Sequence, residues 1–119
     1  MTDAETIGRR YIETWNETDA NRRRALLSEL WTKDATFVDP VLKGDGLAGI
    51  DAVMAQVHER YPGFQFGLLG KPDGFGEYVR LSWALGPQGG EPPIKGTDFL
   101  ALQDGRLKSV TGFFDQLPA

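Results

Sequence analysis

Residues 94–114, Ile-Lys-Gly-Thr-Asp-Phe-Leu-Ala-Leu-Gln-Asp-Gly-Arg-Leu-Lys-Ser-Val-Thr-Gly-Phe-Phe, decide how this chain folds. Asp104-Gly105 is a two-residue hairpin signal, because both positions tolerate the positive φ that a tight β-turn requires. The flanking runs therefore read as paired antiparallel strands. Side chains alternate faces along a strand. Ile94, Gly96, Asp98, Leu100 and Leu102 share one face, and Lys95, Thr97, Phe99 and Gln103 share the other. One acid thus falls on the more apolar face. A carboxylate there costs several kcal/mol unless it is paired, hydrogen-bonded or protonated.

Working outward, two further strands are predicted upstream, at 64–69 and 76–85, ahead of strands at 93–103 and 107–114. Lys71-Pro72-Asp73-Gly74 and Gly86-Pro87-Gln88-Gly89-Gly90 read as the intervening turns. The N-terminal half reads as helices. Thr2 or Asp3 caps a first helix with a stripe of Ala4, Ile7, Tyr11, Ile12 and Trp15, ended by 16–19. Asn21 caps a shorter second one carrying Ala25, Leu26, Leu27, Leu30 and Trp31. A short strand at 35–39 stops at Pro40, which cannot donate to a ladder. A loop at 41–49 leads to a third helix with Ile50, Val53, Met54, Val57 and Tyr61 on one face, broken by Pro62-Gly63. Segregated helices and consecutive antiparallel strands predict a single α+β domain over 1–119. Glycines within or beside the strands (Gly67, Gly76, Gly96, Gly112) suit a strongly curved sheet wrapped around the helices as a cone.

Composition narrows the partners. The 119 residues are 40% hydrophobic and 25% charged, an ordinary globular balance. A net charge of −4 argues against nucleic acid. Arg22-Arg23-Arg24 reads as the solvated face of a helix. No cysteine is present, which excludes disulfides, thiolate catalysis and zinc–sulfur sites. A lone histidine and no calcium-loop spacing leave no expectation of a metal. The glycine-rich 86–90 segment sits in a turn rather than between a strand and a helix, so no phosphate cradle or organic cofactor is expected. The charged N-terminus lacks a signal-peptide core, and no apolar run reaches the ~18 residues of a membrane span. A cytoplasmic protein with no membrane association is the expectation.

Four phrases carry a family likeness: Arg10-Tyr11; the run Trp31-Thr32-Lys33-Asp34-Ala35-Thr36-Phe37-Val38-Asp39-Pro40; Gly96-Thr97-Asp98-Phe99; and Asp104-Gly105-Arg106-Leu107 leading to Gly112-Phe113-Phe114. With the order helix–helix–strand–helix–four strands, the whole chain resembles the nuclear transport factor 2-like superfold. Within it, the chain is most similar to the ketosteroid isomerase and SnoaL-like polyketide cyclase families. The resemblance implies a mixed, mostly antiparallel curved sheet, a homodimer and a small hydrophobic ligand. It also implies that Asp39, in an Asp-Pro pair ending the first strand, is a catalytic base. Tyr11 and a protonated Asp98 correspond to the oxyanion-hole donors.

Those roles make physical sense. A partly desolvated Asp39 can take a proton from carbon next to a carbonyl, and neutral donors aimed at the carbonyl oxygen stabilise the enolate. Asp98 is expected to be neutral at pH 7, as its counterpart is in ketosteroid isomerase. Trp15, Trp31, Phe37, Met54, His58, Leu100, Gly112 and Phe114 are the expected substrate contacts. Each residue has a plainer alternative. Asp39 could be an acid that satisfies a turn, Tyr11 a core aromatic, His58 a satisfied histidine, and Asp98 a partner of Arg80. The segment 21–30 lengthens the second helix relative to ketosteroid isomerases, and supporting tyrosines have no counterpart. Gly96 removes the Arg–Asp pairing of limonene epoxide hydrolase, leaving Arg80 and Asp115 to rebuild it from other strands. A proton-transfer isomerase or cyclase, a non-catalytic binding module and a scaffold acting through its sheet all remain open.

Overall fold

A computed structural model describes residues 3–118; of the two cap candidates for the first helix, Thr2 lies outside them. Helix α1 spans Ala4–Asn16, α2 Ala20–Leu30 and α3 Gly46–Arg60. The strands are β1 Trp31–Val38, β2 Lys43–Asp45, β3 Phe64–Phe75, β4 Tyr78–Pro87, β5 Ile94–Gln103 and β6 Arg106–Gln116. They form one sheet in the order β2-β1-β6-β5-β4-β3. Among the described residues, only the β1–β6 pair is parallel. This is the expected α+β architecture, with α1 against β3 and β4 and α3 against β1 and β2.

Local chemistry explains the boundaries. Asp3 caps α1, accepting from the Thr6 amide at 3.1 Å. Asp19, not Asn21, caps α2, accepting from the Arg22 amide at 2.9 Å; the helix starts one turn earlier than its apolar residues do. Trp31 is not the end of α2 but the first residue of β1. A bulky aromatic fits the extended backbone there, and its ring is fully buried. The segment read as a loop after Pro40 contains β2, a three-residue strand too short to show alternation. Lys71-Pro72-Asp73-Gly74 is not a turn. It is an irregularity within β3, whose pairing to β4 shifts between Leu69 and Asp73. Asp104 and Gly105 turn the β5–β6 hairpin with φ of 52° and 79°, as their composition requires.

Strand β5 alternates strictly: Ile94, Gly96, Asp98, Leu100 and Leu102 are buried, and their neighbours are not. The inner face joins a core centred on Tyr11, Trp31, Ile50, Met54 and Leu107, all inaccessible to solvent. Asn16, the last residue of α1, behaves like a strand at the sheet's edge. Its side chain donates to Phe66 O at 2.9 Å and accepts from Phe66 N at 2.8 Å.

Candidate functional site

The open end of the cone holds a cavity of about 560 Å³, a size usual for small-molecule sites. Its wall is largely aromatic. Trp15 contacts Phe37 and Phe66 with centroids at 5.4 and 5.2 Å, Phe66 meets Trp83 at 5.3 Å, and Trp83 meets Phe114 at 6.4 Å. Trp83 lies across Gly96 of the neighbouring strand, where any Cβ would overlap its ring. That glycine lets the indole lie flat on the sheet.

Asp98, Tyr11 and Asp39 all line this cavity. Tyr11 comes from the middle of α1, on the stripe facing the sheet. Its hydroxyl donates to Asp98 Oδ2 at 2.6 Å. Both side chains are buried, Asp98 to 5% exposure. Burial is the main reason the Asp98 carboxyl rises to about 6; the Tyr11 hydrogen bond and the nearby Trp83 indole N–H work against it, and the charges of Asp39 and Asp115 add to it. The Trp83 N–H approaches without completing a well-formed hydrogen bond. The direction agrees with a neutral acid. The size does not: a group near 6 is neutral below that pH and mostly ionised at pH 7 on its own. Tyr11 is pushed well above its ordinary value by burial, then by the Asp98 charge and their hydrogen bond. It is a phenol throughout the working range, a donor rather than a base.

Gly112 sits directly opposite Asp98 in the β5–β6 ladder. A Cβ there would lie 2.7 Å from Asp98 Oδ1 and 3.3 Å from the Asp39 Cβ. The missing side chain therefore leaves open the space between Asp98 Oδ1 and the Asp39 Cβ. Asp39 follows β1 and shapes the turn into β2, Oδ1 accepting from Val41 N at 2.9 Å and Leu42 N at 2.7 Å. Both bonds go to one oxygen. Among the described residues, none is made to Oδ2.

Of the other expected contacts, Trp15, Phe37, Gly112 and Phe114 line the cavity. Trp31, Met54, His58 and Leu100 do not. Trp31 packs beneath Tyr11 with centroids at 5.9 Å, and Met54 and Leu100 are buried in the core away from the opening. His58 faces the helices instead: Nε2 lies 2.5 Å from Trp15 O, and Nδ1 lies 3.5 Å from an Arg23 Nη. Arg23 in turn is buried against Asp51 at 2.6 Å. Arg80 pairs with Asp73 at 3.0 Å rather than with Asp98, and Asp115 accepts from Thr97 at 2.6 Å, so no Asp–Arg–Asp set is rebuilt. Cavity residues not foreseen include Ile12, Phe66, Ile94, Arg60 and Tyr61. Ile94 shares Asp98's strand face, so parity alone could have found it. Among the described residues, no group of three or more His, Asp or Glu is arranged to hold a metal ion, and no helix is long and apolar enough to cross a membrane.

A family model for the SnoaL-like domain matches residues 8–110. Among solved structures, a candidate isomerase of the SnoaL-like family from Agrobacterium tumefaciens is 40% identical, over 97% of this chain and 99% of its own, with a TM-score of 0.92. A candidate ketosteroid isomerase from Kribbella flavida is 23% identical, covering 98% of this chain and 80% of its own, with a TM-score of 0.72. A candidate polyketide cyclase from Sinorhizobium meliloti is 17% identical, covering 90% and 93%, with a TM-score of 0.71. At those lower identities the likeness is one of fold. No curated protein matches the chain.

Proposed function

The chain belongs to the SnoaL-like domain family, and from that premise we propose that it is a cofactor-independent isomerase or cyclase acting on a small, largely hydrophobic ketone. The observation that carries this reading is the buried 2.6 Å pair of Tyr11 and Asp98 in the same cavity as Asp39. Asp39 takes a proton from the carbon next to the carbonyl, and the C–H electron pair moves toward the carbonyl oxygen. With Asp98 neutral, its proton is donated to the Tyr11 oxygen and the phenolic proton turns to the developing enolate. Return of the Asp39 proton to another carbon completes an isomerisation. Attack of the enolate carbon on a second carbonyl, with that proton passing to the new alkoxide, completes a cyclisation.

Exchange of α-protons with deuterated solvent tests this directly. Wild-type protein should accelerate exchange in a small cyclic ketone, and Asp39→Asn should slow it about 10²- to 10⁴-fold. Unchanged exchange in Asp39→Asn would sink the reading. A second reading, retention of a hydrophobic metabolite without chemistry, is favoured by the two turn bonds to Asp39. A ligand that survives purification and shows no exchange would support it. We also propose a cytoplasmic homodimer, paired through the outer face of β5 and β6.

A further inference from the structure

The cavity is electrically asymmetric. Its acids lie inward, Asp98 deeply buried and Asp39 half-buried. At the rim, Arg60 is the only basic side chain among the described lining residues. It occupies the last turn of α3, one turn beyond Gln56, which also lines the opening. The guanidinium is not left to swing freely. It lies over the Tyr61 ring at 5.7 Å from the centroid, and its Nε donates to the Tyr61 hydroxyl at 3.3 Å. No described carboxylate pairs with it. Its two terminal nitrogens keep their donors available.

We infer that the natural ligand is a carboxylate-bearing ketone, bound with its carbonyl at the Tyr11–Asp98 end and its carboxylate on Arg60. The inference rests on the proposed role of the Tyr11–Asp98 end for the orientation of the ligand. A guanidinium presents parallel N–H groups that match the two oxygens of a carboxylate. The Asp39 carboxylate repels an anion from the inner end, so attraction at the rim and repulsion inside select one orientation. The ring beneath Arg60 limits the side-chain freedom lost on binding. The C-terminal end of α3 disfavours negative charge, which suits a single carboxylate better than a doubly charged phosphate. Arg60 is thereby a specificity residue, distinct from the groups that handle the proton.

The test compares 2-naphthol with 6-hydroxy-2-naphthoic acid, which add a phenolic oxygen for Tyr11 to the same apolar body with and without a carboxylate. Binding is read from the fluorescence of Trp15 and Trp83, which line the cavity, and by calorimetry. At low ionic strength the acid should bind about ten-fold tighter than the naphthol, and the advantage should shrink as salt is added. Arg60→Gln should abolish the advantage while leaving 2-naphthol affinity unchanged, and Arg60→Lys should keep part of it. Equal affinities in the wild type would overturn the inference. So would a parallel loss for both probes in Arg60→Gln, the mark of a merely structural arginine. Failure of the acid to bind would do the same. These outcomes are separate from α-proton exchange: silent exchange with an intact carboxylate preference removes the proposed reaction and leaves Arg60's role standing.

Discussion

Asp98 ties the chemistry of the cavity to the stability of the fold. An acid raised from 3.8 to about 6 by burial holds more protons folded than unfolded between those values. Its contribution is fully present below about pH 3.8 and is lost as pH rises through about 6. Other carboxylates slope the opposite way, so the comparison must be made against Asp98→Asn. The wild type should lose stability relative to that variant between pH 4 and pH 7, by on the order of 3 kcal/mol. Urea denaturation across that range checks it, and a flat difference would mean that Asp98 is not desolvated. Gly112 gives a purely steric companion test. Its backbone is not left-handed, so Gly112→Ala tests only the 2.7 Å encounter with Asp98 Oδ1. The carboxyl cannot turn away without stretching its bond to Tyr11. We expect the variant to lose about 1–3 kcal/mol and to lose proton exchange far beyond what that destabilisation explains. Normal exchange in a well-folded Gly112→Ala protein would show that this space need not stay open.

At the scale of elements, what was legible was whatever repeats. The alternation of β5 placed Asp98 on the inner face, and the stripe of α1 placed Tyr11 opposite it, so the pair at the heart of the site follows from periodicity and resemblance together. What was not legible depends on tertiary partners. Trp31 continues the apolar stripe of α2, yet its burial beneath Tyr11 requires an extended backbone. Lys71-Pro72-Asp73-Gly74 has turn chemistry, but Pro72 packs against Gly8 of α1, which keeps it within β3. His58 looked available because nothing in its neighbourhood announces Arg23 and the Trp15 carbonyl. Asn16 carries only a helix terminator's signal in the sequence, although its amide pairs with the backbone of Phe66. That last contact is testable. Asn16→Ala frees the Phe66 amide and carbonyl at the sheet edge, which should cost about 1–3 kcal/mol and speed hydrogen exchange at Phe66. Unchanged protection of that amide would mean that the edge of β3 is held by packing alone.

The whole molecule must also manage the outer face of its sheet. Phe99 and Phe113 stand there in edge-to-face contact at 5.9 Å, 45% and 53% exposed. The ladder extends the patch: Phe99 faces Thr111 on β6, and Thr111 faces Val38 on β1, itself 41% exposed. Three adjacent strands thus present exposed apolar side chains, of which Phe113 also borders the cavity. The proposed symmetric homodimer would cover such a patch with its own copy. The net charge of −4 on each chain opposes that contact, so association should strengthen as ionic strength rises. Light scattering at micromolar concentration should give twice the 13.1 kDa chain mass, and a Val38→Glu, Phe99→Glu double variant should give the single chain. A monomeric wild type would remove the dimer. Pairing also bears on the site, because Asp98 and Gly112 lie on the inner face of the same two strands. If the dimer stiffens that wall, the monomeric variant should keep its fold yet bind 6-hydroxy-2-naphthoic acid more weakly. Equal affinity in monomer and dimer would make the interface a matter of solubility alone.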